Sequence, residues 1–223
     1  MRIEYDAPRP LGREYIQLAP DIAAAILVTL GAGWELATAS SDVRPDAREV
    51  AMTERLRDGM RTALNGHRLA WSRNMVVLPG TESRSSQEVL LPDGRTDISI
   101  FLIEVFVNSQ EHDPHAIVEC KRIAESDRTL CREYVVEGID RFRNGKYGQS
   151  HATGFMVGYV LSGDAGGAVS GINKYLTSNA RPAESLRQSV DPPLSWASEH
   201  ARVVPSKPIF LHHTFFSTDL RAA

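Results

Sequence analysis

Residues 115–123, HAIVECKRI, form an apolar run interrupted by Glu119 and Lys121, two positions apart, before it returns to Ile123. In an extended strand, side chains alternate between faces. Ile117, Glu119, Lys121 and Ile123 therefore share one face, and Ala116, Val118, Cys120 and Arg122 the other. Burying an unpaired carboxylate or ammonium costs several kcal/mol, so a strand this apolar needs a partner or a cation for each charge. One reading is a Glu–Lys pair at the solvated end of an edge strand, where ion pairs are common and energetically cheap. The upstream sequence offers a second. Asp97 begins the β-like run RTDISIFLIEVFV just after Gly94, and the polar loop NSQEHDP joins that run to HAIVECKRI. Antiparallel pairing of the two would bring Asp97 beside Glu119 and Lys121. Adjacent carboxylates repel unless a cation lies between them, and hard oxygen ligands select Mg²⁺ or Mn²⁺.

An Asp on one strand, followed by Glu-x-Lys at the end of the next, resembles the PD-(D/E)xK nuclease superfamily, the fold of many restriction endonucleases. The elements that carry the likeness are RTDISI with Asp97 and IVECKR with Glu119 and Lys121, within residues 45–165. The resemblance implies an α/β fold with a restriction-endonuclease-like α-β-β-β-α-β core and a mixed central sheet flanked by helices. Residues 1–44 would be a helical N-terminal extension and 166–223 an added helix and strand, all within a single domain of 223 residues. It further implies a Mg²⁺-dependent endonuclease, with Mn²⁺ able to substitute, that hydrolyses phosphodiester bonds in DNA, RNA remaining open. Asp97, Glu119 and the Cys120 carbonyl would hold the metal. Lys121 would orient the attacking water or stabilise the transition state. Many members add an acid from the first helix; Glu49, at the edge of the buried stripe, is preferred here to Glu54.

The sequence departs from the family pattern in having Thr96 before Asp97 where Pro is usual. A literal Pro92-Asp93 occurs in LPDGR, which reads as a β-turn, so Asp97 is favoured over Asp93 for the site. Glu104 lies at the wrong end of the run. Cytoplasmic restriction or anti-phage defence in a prokaryote, with a homodimer or partner subunit supplying part of the DNA grip, is the corresponding biological expectation.

The elements that must position these residues follow from periodicity and turn chemistry. Residues 22–30 read as a buried helix, opened by Pro20 and Asp21. A second helix carries Met52, Leu56, Met60 and Ala63 at helical spacing. Strands NMVVLPG, EVLLPDG, RTDISIFLIEVFV and HAIVECKRI come next. The helix RTLCREYVVEGIDRFRNGKYG, the strand TGFMVGYVL, the helix AGGAVSGINKYLTS and a last strand around IFLHHTFF complete a sheet between helices. Gly138 costs around 1 kcal/mol against Ala in a helix interior, and so marks a close approach to the sheet.

A formal charge of −3 argues against binding nucleic acid through bulk positive charge. Near the end of the third helix, Arg141 and Lys146, interleaved with Phe142 and Tyr147, are candidate phosphate contacts. Arg128, Arg132 and Arg143 mix with acids, as on a solvated face. Cys120 and Cys131 are too few for a zinc module or disulfide scaffold. The run IAAAILVTLGAGW falls short of a bilayer span of roughly 20 residues. His212 and His213, adjacent on a strand, face opposite ways and do not share one ion. Two rivals remain: a nuclease-like binding or assembly module without catalysis, and a small-molecule hydrolase using the same carboxylates.

Overall fold

Strands that are apolar on both faces must be covered on both sides, and the two central strands here are of that kind. The computed structural model describes residues 16–66, 69–83, 92, 94–110, 112–190, 195–202 and 207–219. Helices α1 (Pro20–Ala37) and α2 (Glu49–Asn65) lead into strands β1 (Met75–Pro79), β2 (Glu82–Ser83), β3 (Gly94–Arg95) and β4 (Ile98–Leu102). Helix α3 (Ile103–Ser109) and strand β5 (Ala116–Ile123) follow. One continuous helical run then comprises α4 (Arg128–Tyr134), a π-helical segment (Val135–Ile139) and α5 (Asp140–Arg143). Strand β6 (Thr153–Val160), helix α6 (Ala165–Ser178), a 3₁₀ turn (Pro182–Glu184) and strands β7 (Arg187–Gln188), β8 (Ser195–His200) and β9 (Ile209–Ser217) complete the chain.

Seven strands form one mixed sheet in the order β1-β4-β5-β6-β9-β8-β7, and β2 pairs separately with β3. β5 runs antiparallel to β4 and parallel to β6, which is itself parallel to β9. The alternation read from the sequence appears as two cores. Val118 and Cys120 face α1 and α2, packing with Ile26, Leu30, Met52, Leu56 and Met60. Ile117 and Ile123 face the opposite layer, with Tyr134, Ile139, Phe142, Ile172 and Leu176. The result is an α/β sandwich with a mixed central sheet flanked by helices.

Several expectations need correction. β5 is not an edge strand: it lies between β4 and β6, and Glu119 on it is fully buried. The run RTDISIFLIEVFV is not one strand; it leaves the sheet at Leu102 and coils as α3. Both neighbours run out there, since β1 ends its ladder at Met75 opposite Leu102 and β5 begins opposite Ile100. A longer strand would hang unpaired. β8 is a strand in a stretch where the sequence reading placed none, between the helix AGGAVSGINKYLTS and the last strand. Of the strand expected at EVLLPDG, residues 88–91 and Asp93 fall outside the described residues, and Gly94 lies in β3.

Helix α1 extends over 18 residues and is long and apolar enough, by length and composition, to cross a membrane. It lies instead against α2, where Gly33 and Gly59 approach so closely that a Cβ on Gly59 would sit 2.1 Å from the Gly33 carbonyl oxygen. β9, from the C-terminal region, pairs directly with β6, and α1 shares the core of α2 and the sheet. Both flanking regions are thus built into the central architecture.

Candidate active site

The register of β4 against β5 pairs Ile98 with Val118 and Ile100 with Ala116. Continued by one residue, it sets Asp97 opposite Glu119, on the same face. Asp97 sits where β4 begins, and it is fixed there: the Cys120 N–H donates to its Oδ2 at 2.7 Å. The turn before it is braced by hydroxyls. The Thr81 N–H donates to Thr96 Oγ1 at 3.0 Å, and that hydroxyl meets Ser99 Oγ at 3.2 Å. Thr96, where the nuclease pattern prefers Pro, thus ties down the turn through its side chain. Gly80 permits the crossing strand to pass, since a Cβ there would overlap the Thr96 carbonyl oxygen at 1.5 Å.

Lys121 is the hub. Its Nζ lies 2.8 Å from Glu119 Oε1, 3.1 Å from Glu49 Oε1 and 2.9 Å from the Cys120 carbonyl oxygen. Glu49 comes from the first turn of α2, and its other oxygen accepts the Arg122 N–H at 3.0 Å. Glu54 turns away to pair with Arg57 on the same helix, and Glu104 is exposed on α3. From the opposite layer α5 delivers Arg141, whose Nη1 donates to Glu119 Oε1 at 2.9 Å and to Tyr147 Oη at 2.6 Å. Tyr147 in turn donates to the Arg95 carbonyl oxygen. Lys146 is exposed beyond the end of α5. Of the two candidate phosphate contacts, then, Arg141 joins the carboxylate cluster through its side chain.

The electrostatics are unbalanced toward negative charge. Among the described residues, with every group ionised, Asp97, Glu119 and Glu49 would face the two cations Lys121 and Arg141, an excess of one negative charge that a proton on Glu119 relieves. Burial and then the Asp97 charge push the Glu119 carboxyl up to about 8, against the pull of Lys121 and Arg141. Burial likewise raises Asp97, with Lys121 and the Cys120 N–H opposing. Burial works against the charge on Lys121, but Glu119, Glu49 and Asp97 outweigh it and hold its pKa above the ordinary lysine value. Lys121 is therefore a fixed cation and donor, not a base.

This donor set fits a hard divalent cation in three respects. Glu119 Oε2 is buried and has no hydrogen-bond partner among the described residues. With all three carboxyls ionised the cluster carries one excess negative charge, so a cation would take the place of the proton on Glu119, and the oxygens are carboxylate and carbonyl, the type such ions prefer. Asp97, Glu119 and the Cys120 carbonyl are the groups that would hold it. Among the described residues, no three His, Cys, Asp or Glu side chains are already arranged as a metal site. The Lys121 ammonium lies between Glu49 and Glu119 and separates them.

A second buried polar cluster went unread in the sequence. Ser198 Oγ lies 2.6 Å from His200 Nε2 and 2.7 Å from His213 Nε2, and His200 Nδ1 meets Glu184. The order serine, imidazole, carboxylate is that of an activated nucleophile. Here, however, Ser198 is buried and its oxygen is held by two imidazoles, so it serves as a strut joining β8 to β9. Its signal was Ser-x-His, which on a strand places both residues on one face; recognising it required recognising β8. His213 also meets the Tyr134 hydroxyl, while His212 stacks on Phe155 from the other core. The two histidines do point apart.

Fold and site together define the class: an α/β sandwich with acids and bases concentrated at one point of its central sheet. Compared with protein-family models, curated proteins and solved structures, the chain matches none.

Proposed function

We propose that this protein is a Mg²⁺-dependent nuclease of PD-(D/E)xK type that hydrolyses phosphodiester bonds in DNA, with Mn²⁺ able to substitute and a place in prokaryotic restriction or anti-phage defence. The observation that carries the reading is the convergence of Asp97, Glu119 and Lys121 from two adjacent strands, with one oxygen of Glu119 buried and unpartnered. A bound Mg²⁺ supplies charge neutralisation at a phosphoryl oxygen and a water acidic enough to attack near neutral pH. Asp97 and Glu119 hold their positions through the strand ladder and the Cys120 N–H. Lys121, kept charged, stabilises the phosphorane-like oxygens electrostatically, or releases one of its three present acceptors to orient the attacking water. Glu49 orients Lys121. With a net charge near neutral, the protein grips DNA locally, at this cluster and through a second subunit or partner.

A second reading is favoured by one observation: Lys121 and Arg141 already occupy Glu119 Oε1. A nuclease-like module that binds nucleic acid without cutting it would keep such internal pairing. Plasmid cleavage in Mg²⁺, Mn²⁺ or EDTA separates the two. Wild type should cut only with metal, and Asp97→Ala and Lys121→Ala should each lose on the order of 100-fold or more in rate. Cutting that survives both substitutions would end the catalytic assignment. Metal-independent DNA binding without cutting would favour the binding module.

A further inference from the structure

Glu119 carries two cations on one oxygen and none on the other. Lys121 Nζ and Arg141 Nη1 both lie against Oε1, at 2.8 and 2.9 Å, while Oε2 is buried and unpartnered. The two cations are held differently. Lys121 is 10% exposed and has three acceptors: Glu119, Glu49 and the Cys120 carbonyl. Arg141 is 32% exposed and reaches in from another layer, and its remaining carboxylate neighbour, Glu137, is 3.7 Å away. Its guanidinium lies 5.3 Å from the centre of the Tyr147 ring, a resting place for a cation that does not depend on Glu119.

We propose that Arg141 is an exchangeable counter-ion. It occupies Glu119 Oε1 in the metal-free protein and is released when a divalent cation takes its place. The freed guanidinium then turns to a phosphate of the substrate. This rests on the metal-dependent phosphodiesterase reading above. An ammonium, a guanidinium and a dication cannot crowd one carboxylate without strong mutual repulsion. Of the two side chains, Arg141 is the more exposed, and it leaves. A guanidinium suits the exchange, because its planar fork matches carboxylate and phosphate alike.

The backbone around Arg141 is anchored, so the side chain can move without the helix. Asp140 pairs with Arg181 at 2.7 Å, Arg181 with Glu184 at 2.7 Å, and Arg143 approaches Glu184 at 3.7 Å. These contacts fasten α5 on either side of Arg141 to the 3₁₀ turn. Two consequences follow. Arg141 competes with the metal, so metal alone binds more weakly than the carboxylates would allow. A phosphate ligand that draws Arg141 away strengthens metal binding, and by reciprocity metal strengthens binding of that ligand.

The test is calorimetric titration of Mn²⁺ into the full chain, alone and with a short phosphorothioate-linked DNA duplex that resists cleavage. Arg141→Gln should bind Mn²⁺ about ten-fold tighter than wild type without DNA, within the usual range of coupling between sites. DNA should tighten Mn²⁺ binding several-fold in wild type and leave Arg141→Gln unchanged. Arg132→Gln, on the exposed surface of α4, removes the same formal charge and should behave as wild type. Equal Mn²⁺ affinity in wild type and Arg141→Gln would overturn the latch and leave the metal site standing. Equal tightening in Arg132→Gln would reduce the effect to bulk charge and also overturn it. No Mn²⁺ binding by either folded protein, with folding checked by circular dichroism, would overturn the metal site itself and the latch with it.

Discussion

At Glu119, burial and a neighbouring acid act in the same direction, and the pH dependence of folding should register it. The carboxyl titrates at about 8 in the fold and at an ordinary 4.5 when unfolded. Between those values the folded chain holds a proton that the unfolded chain has released. Stability therefore falls as pH rises through that window. Glu119→Gln removes the titration while keeping shape, and Lys121 retains Glu49 and the Cys120 carbonyl. Without metal, the variant should be more stable than wild type above pH 8, on the order of 1–3 kcal/mol, and the two should converge near pH 5. Urea unfolding at several pH values reads this directly. A variant less stable than wild type at high pH would mean that the ion pairs at Oε1 outweigh the cost of burial. The gain would also bear on why a buried acid is kept here, since stability is often given up at sites of function.

At the scale of elements, the π segment at Val135–Ile139 places Gly138 over the sheet. A Cβ at Gly138 would lie 2.6 Å from Met156 Cε and 3.4 Å from Lys121 Cγ. The close approach expected from a mid-helix glycine is present, and its neighbour is the stem of the site lysine. Gly138→Val should cost about 1–3 kcal/mol from overpacking. It should also weaken metal-dependent cleavage more than an equally destabilising core change such as Ile172→Val, because it displaces Lys121. Equal losses in both variants would deny Gly138 any part in positioning Lys121. The antiparallel pairing of β4 with β5 was legible from two consecutive strand-like runs, although the expected hairpin loop NSQEHDP is only part of a longer connection that includes α3. The place of β5 inside the sheet was not, because alternation reveals which residues share a face but not what lies beside them. Helix α3 was hidden for a related reason: an apolar run has no mark where its partner strands end. In β8, exposure does not follow a period of two, so SWASEH had no strand signature. Glu49 could be favoured over Glu54 by its position on the helix, whereas the link from Arg141 to Glu119 depends on how α5 crosses the sheet.

For the whole molecule, two sets of buried groups should impose opposite pH slopes on stability. His151 and His212 are pushed down to about 4, and His213 well below its ordinary value, in each case by burial first. The unfolded chain takes up protons on these residues below pH 6.5 where the folded chain does not, so stability falls as pH drops from 6.5 toward 4. Glu184 behaves differently. Burial opposes its charge, but His200 and Arg181 outweigh it and hold the carboxyl at about 2, so its stabilising contribution persists until pH falls below 4.5. Glu119 imposes the opposite slope from 4.5 to about 8, which overlaps the histidine window, so above pH 6.5 its decline acts without theirs and metal-free protein should be most stable near that pH. A divalent cation held by ionised Glu119 would remove the decline above pH 6.5, because neither state then binds a proton there. In excess Mg²⁺ that decline should flatten and stability should rise by about 2.7 kcal/mol at 100-fold over Kd. The histidine contribution should stay as it was, since none of these histidines belongs to the cluster. Urea midpoints from about pH 4 to 9, in EDTA and in Mg²⁺, measure both slopes in one experiment. An alkaline decline that persists unchanged in saturating Mg²⁺ would place the ion somewhere other than Glu119.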